Sequence, residues 1–183
     1  MNRKQIASFC HAFVMGLVVA SMASVAWAQP TSGFHSAGWK QGVDTYWPGR
    51  AASRNIGTAR EYAQDFQNYV AKMPSPEPSV VKEVKLELAR YLEEAKRHLA
   101  SMKKDFAADK ETVAAIESIE KDLAAAIGLH KDMIECCENE KFDKIAGMTC
   151  CSDLLKQLDK IHAAHQDLMR KLSRKYAVPA ATK

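Results

Sequence analysis

An all-α fold, an antiparallel up-down-up-down four-helix bundle, is predicted by three features of the sequence. Four stretches carry apolar residues at three- and four-residue steps, the connections between them are short and polar or proline-bearing, and no strand-like alternation of useful length competes. An irregular N-terminal arm precedes the bundle, and two cysteine doublets, Cys136-Cys137 and Cys150-Cys151, are placed to clamp the hairpin between its third and fourth helices.

The chain opens on a short positive segment, Met1-Asn2-Arg3-Lys4, followed by an apolar run to Val25 and then Val25-Ala26-Trp27-Ala28. This is the layout of a secretory signal, so residues 1–28 are read as a signal peptide and the mature chain as periplasmic or secreted. Cys10-His11 interrupts the apolar stretch, which leaves it short of the ~20 residues a membrane span needs. Cys10 also lies too early to be a lipid-bearing mature terminus, so no membrane association is expected after cleavage. The remaining residues suffice for one domain with a real core.

Residues 29–50, rich in Gly, Ser and Pro with Trp39, Tyr46 and Trp47 interspersed, lack a helical period and are read as the arm. The bundle is expected over 51–178. Its first helix carries Ile56, Ala59, Ala63, Phe66, Val70 and Met73 on one face and is stopped by Pro74, Pro76 and Pro78. Ser75 is the expected cap of the second, whose face is Val81, Val84, Leu88, Tyr91, Ala95, Leu99 and Met102. Asp109 caps the third, with Glu111 in its first turn and Val113, Ile116, Leu123, Ile127, Ile134 and Cys137 inward. Thr149 is the expected cap of the fourth, with Cys151, Leu154, Leu158, Ile161, His165, Leu168 and Leu172 at seam spacing. Val178-Pro179 ends it and leaves a tail at 179–183.

The net charge of +4 falls to +2 once Arg3 and Lys4 leave with the signal, and both signs interleave along the helices. No basic stripe for nucleic acid and no block of like charge for an anionic membrane results. Cys10 leaves with the signal as well, and the four remaining cysteines, in an oxidising compartment, are expected to form disulfides. Residues equidistant from a turn near Asp143 or Lys144 add to about 287, which makes the pairing interhelical. Two connectivities stay open: Cys136–Cys151 with Cys137–Cys150, or like with like. A bridge closing so short a loop stabilises by about 3 kcal/mol in the chain-entropy model. If Cys150 and Cys151 fill the first turn of the fourth helix, the positive helix end would activate their thiols, and a thiol–disulfide redox protein is one functional reading. The C-x-x-C motif of familiar thiol oxidoreductases is absent, as is any recognised tetrahedral zinc spacing.

A second constellation lies on the seams. His98 and Met102 are four apart, His165 and Met169 are four apart, and His130 and Met133 are three apart, so each pair shares a helical face. Hairpin register places His98, Met102, His165 and Met169 in neighbouring layers near one end of the bundle. His130 falls about two turns, or ~12 Å, away, and His162 lies beside His165. Imidazole with thioether in an exported protein suits a soft ion, copper(I) above all. Covalent haem is excluded by the absence of C-x-x-C-H, and a di-iron site lacks its paired Glu-x-x-His motifs, Asp159-x-x-His162 being a single echo. No nucleophile–base pair or phosphate loop is recognisable, so no enzymatic activity is expected. The function this predicts is non-catalytic binding, of copper through the His/Met layer. The alternative is an interaction module for an envelope protein partner with no metal.

Overall fold

The computed structural model describes residues 46–176, and within them the chain forms four helices: α1 (Trp47–Lys72), α2 (Pro78–Asp105), α3 (Lys110–Glu138) and α4 (Lys144–Lys175). Each helix packs on two neighbours, α1 on α2 and α4, and α3 on α2 and α4, which closes the antiparallel bundle. The expected signal peptide, the expected arm up to residue 45 and the expected tail lie outside the described residues. Among those described, no helix is long and apolar enough to cross a membrane.

The seams follow a heptad step. Gly49, Ala52, Ile56, Ala59, Ala63, Phe66 and Val70 are buried on α1; Gly147, Cys151, Leu154, Leu158, Ile161, His165, Leu168 and Leu172 are buried on α4. On α3 the buried row runs Ile116, Ile119, Leu123, Ala126, His130, Met133, Cys137. Val113 and Ile127, expected inside, are only half-buried, because the seam passes one position away through Thr112 and Ala126. Likewise Leu92 fills the α2 position expected for Tyr91. Tyr91 instead sits half-buried in the α1/α2 groove against Tyr62, ring centroids 5.6 Å apart.

Three boundaries differ from the sequence reading. Helix α1 starts at Trp47, inside the expected arm, because Pro48 falls in its first turn, where a missing N–H costs nothing. Helix α2 starts at Pro78 behind Glu77 rather than at a Ser75 cap; the Glu77 N–H donates to the Tyr69 hydroxyl at 2.8 Å and folds the proline loop onto α1. Helix α4 starts at Lys144, with Asp143 as its cap accepting from the Ile145 and Ala146 N–H groups at 2.8 and 3.3 Å. Thr149 is inside the helix, its hydroxyl donating to the Ile145 carbonyl at 2.9 Å.

At the opposite end, Asp109 caps α3 as expected and holds more than the cap. Its carboxylate accepts from the Thr112 N–H at 3.3 Å, the Thr112 hydroxyl at 2.7 Å, the Lys175 ammonium at 2.7 Å and the Tyr176 hydroxyl at 3.1 Å. The end of α4 is thereby tied to the α2–α3 turn. Lys175 first, and then Thr112, hold the Asp109 carboxyl well below the usual carboxylate range. A carboxylate with a depressed folded value contributes stability above its unfolded value, near pH 4, and loses it as the pH falls. Asp109→Ala should therefore cost about 1–2 kcal/mol at neutral pH. Asp109→Asn, which keeps an acceptor for the cap, should flatten the acid limb of the stability curve below about pH 4, as read by urea unfolding across that range.

Candidate soft-ligand layer and sulfur cluster

Two heptad positions that ordinarily take leucine are histidine. His165 is 1% exposed, and neither ring nitrogen has a hydrogen-bond partner among the described residues. His130 is 5% exposed, and its Nε2 is unpartnered in the same sense. A buried polar group without a partner costs about 1–3 kcal/mol relative to an apolar side chain of similar size. Packing alone therefore gives no reason for either imidazole. Burial, and then the neighbouring His162, push the His165 ring down to about 4; burial, followed by Lys85 and Lys131, lowers His130. Both rings are neutral at physiological pH, the form in which imidazole ligates a metal.

The level of His165 follows from contacts that pin α1 against α4. Met169 packs on Gly49, Asp159 pairs with Arg60, and Gln67 Nε2 donates to Ser152 Oγ at 2.7 Å. His165 thus lies level with the stretch between Ala52 and Ile56. On α2, the Tyr46–Asp105 hydrogen bond and the Tyr62–Tyr91 contact put residues 96–100 at that same level. His98 is accordingly level with His165, but it stands one position off the Ala95–Leu99–Met102 seam. Its ring is partly exposed, with Nε2 3.9 Å from the Glu94 carboxylate one turn back on its own helix.

The other expected ligands divide in the same way. Met102 is fully buried on the α2 seam, in the layer next to His165. Met169 is half-buried and leans into the α1/α4 groove, so close to Gly49 that a Cβ there would lie 2.6 Å from its Cε and 2.7 Å from its Sδ. His162 is half-buried on the groove side, 2.6 Å from Gln166 Nε2 and facing Gly57. His130 lies on the α3 seam beside the fully buried Met133. The inward members of the layer are therefore His165 and Met102, with Met169 on its flank and His98 and His162 at the rim. Among the described residues, no three His, Cys, Asp or Glu side chains are grouped to hold an ion. A site here would consist of thioether with a single imidazole, a set that suits copper(I) and not the three protein donors of a zinc centre.

At the α3–α4 hairpin, the Sγ atoms of Cys136 and Cys150 stand at disulfide distance, linking the two helices. Of the connectivities open in the sequence, this is the like-with-like one. Cys137 and Cys151 lie behind that pair, 5% and 0% exposed, and are hydrogen-bonded to each other. The expectation that the fourth helix activates its cysteines fails because Asp143, not Thr149, is its cap, so Cys150 and Cys151 fall at the end of its second turn. A dipole effect confined to the first turn does not reach them. In the reduced form, burial, and then Cys136, push the Cys150 thiol up to about 12, and the Cys137 contact and burial carry Cys151 higher still. Cys137 alone is lowered, by the hydrogen bond from Cys151.

Comparison with protein-family models, characterised proteins and solved structures yields no significant match. The buried imidazole can be tested by pH. Because its folded value, about 4, lies below its unfolded value, about 6.5, His165 contributes least to stability in acid: the folded state is progressively disfavoured as the pH falls from 6.5 toward 4. The full effect is about 3 kcal/mol, with His130 adding in the same sense. His165→Leu should remove most of that slope, and should stabilise the apoprotein at neutral pH, by chemical denaturation at pH 7 and near pH 4.5.

Proposed function

We propose that the chain is an exported, non-catalytic bundle that binds copper(I), with His165 as the anchoring ligand and the thioethers of Met102 and Met169 completing a soft, water-poor site. The observation that carries this reading is the His165 ring, buried on the seam with both nitrogens unpartnered among the described residues. A neutral imidazole needs no proton released before it ligates, and a bundle core already desolvates the ion's surroundings. His98 and His162 at the rim are entry ligands that meet the ion before it reaches the core. His130 with Met133 forms a second, weaker candidate on α3. Export is supported by the signal-like residues 1–28 and by the sulfur pair at disulfide distance.

The reading as an envelope interaction module draws on a different observation. Trp47 is 57% exposed at the start of α1, held by the Arg54 guanidinium 5.5 Å from its ring, where the arm joins the bundle. It predicts a protein indifferent to metal.

Copper loading separates the two. The mature protein, carrying Cys137→Ala and Cys151→Ala so that thiols contribute nothing, is incubated anaerobically with excess copper(I), desalted and assayed for metal. About one copper per chain should be retained, and His165→Leu should lose it with helix content intact. Retention unchanged by His165→Leu, or no retention at all, removes the proposal.

A further inference from the structure

The sulfur cluster carries an inference independent of copper. Adjacent residues on a helix point about 100° apart, so each doublet gives one sulfur to the seam and one to its flank. The structure sorts them into two pairs in one layer. The outer pair, Cys136 and Cys150, is half-buried and at disulfide distance; the inner pair, Cys137 and Cys151, is buried and in thiol–thiol contact. The inner pair cannot meet an external disulfide directly, because exchange needs access to the attacking sulfur. Cys137 follows Cys136 and Cys151 follows Cys150, and the outer two stand at disulfide distance, so the two pairs are neighbours and not separate staples.

We propose that the four cysteines form an internal thiol–disulfide relay in which the outer pair exchanges with external disulfides or dithiols, and the inner pair gains and loses electrons only through Cys150. Starting from the outer disulfide, the Cys137 thiolate attacks Sγ of Cys150. A Cys137–Cys150 bond forms, the Cys136–Cys150 bond breaks, and Cys136 leaves as a thiolate that takes the proton Cys137 gave up. Cys151, passing its proton to the departing Cys150 sulfur, then attacks Sγ of Cys137 and closes the inner disulfide. One disulfide and two thiols are present before and after, so this internal transfer needs no oxidant. A low-molecular-weight disulfide then reoxidises the outer dithiol and is itself reduced to two thiols, leaving both pairs bridged.

The outer cysteines have unequal roles. Cys137 can attack Cys150 across the helix pair, whereas attack on Cys136 would bridge sequence neighbours. Their Cα atoms are ~3.8 Å apart, below the ~4.4 Å a bridge ordinarily requires. Cys151 faces Cys136 across the same helix pair, but it is the hydrogen-bond donor of the inner pair and holds its proton more tightly, so Cys137 attacks first, Cys150 is the relay sulfur and Cys136 is its resolving partner. The hydrogen bond donated by Cys151 makes Cys137 the better nucleophile of the inner pair.

The test uses the mature protein, fully reduced, freed of reductant and exposed to excess glutathione disulfide. Samples are quenched by alkylation under denaturing conditions and the bridges mapped by mass spectrometry. In the wild type the outer pair should close first and Cys137–Cys151 should follow. With Cys136→Ser the inner pair should still oxidise, because glutathione attached to Cys150 leaves when Cys137 attacks. With Cys150→Ser inner oxidation should slow by about tenfold or more. Each variant loses one half-buried sulfur only, and circular dichroism confirms that both are folded before rates are compared. Equal inner rates in the two variants, or a wild-type inner pair that stays reduced while the outer pair closes, overturns the relay.

Discussion

The placement of the candidate ligand layer depends on the register between α1 and α4, and small residues set it. Gly49 at one end admits Met169 against the α1 backbone; a Cβ there would sit 2.6 Å from the methionine Cε. At the other end Gly147 lets Phe142 fold over the start of α4, where a Cβ would meet the ring at 2.7 Å. Between them Ala52, Ala59 and Ala63 give α1 a narrow face, and the Arg60–Asp159 and Gln67–Ser152 contacts hold the two helices in step. A large residue at any of these positions would displace α4 and with it His165, which has to lie among apolar neighbours for its ring to stay neutral.

Two features of the core run against stability. An apolar residue would serve the packing better than His165 or His130, and one bridge already ties the hairpin, yet a second cysteine pair occupies the seam behind it. Stability costs of this kind, concentrated on one or two positions of an otherwise regular heptad, are where function is expected to reside. His165 and the second cysteine pair lie toward opposite ends of α4, with Cys151 near its start and His165 in its later half, whereas His130 lies one heptad from Cys137 on α3. The proposed copper site at His165 and the proposed thiol exchange are thus spatially separable.

Much of the fold was legible because it depends on periodicity. Every residue named for the α4 seam, from Cys151 to Leu172, is buried, and Asp109 caps α3 where a carboxylate three residues before an N–H donor should. The departures share a physical origin, the helical phase of the buried row, which hydrophobicity alone does not fix. On α3 the more hydrophobic Val113 and Ile127 stand beside Thr112 and Ala126, which the heptad step selects, and on α2 the buried row takes two four-residue steps from Val84 through Leu88, which moves it from Tyr91 to Leu92. The same one-position offset moves His98 from the seam to the rim beside Glu94. Thr149 was a plausible cap, but Asp143 is a stronger acceptor and lengthens α4 by more than a turn, which removes the helix-end activation of the cysteines. The close approach of Met169 to Gly49, and the division of the doublets into an outer and an inner pair, depend on contacts between helices that no spacing within one helix encodes.

Copper(I) binding is tested most directly at the His165 ring, which nitrogen NMR of the histidine side chains during a copper(I) titration reads without mutation. The predicted result is that a His165 ring nitrogen shifts first and is saturated at about one equivalent, with His98 and His162 responding only beyond it. Shifts confined to the rim histidines, with the His165 resonances unmoved through excess copper(I), would contradict it.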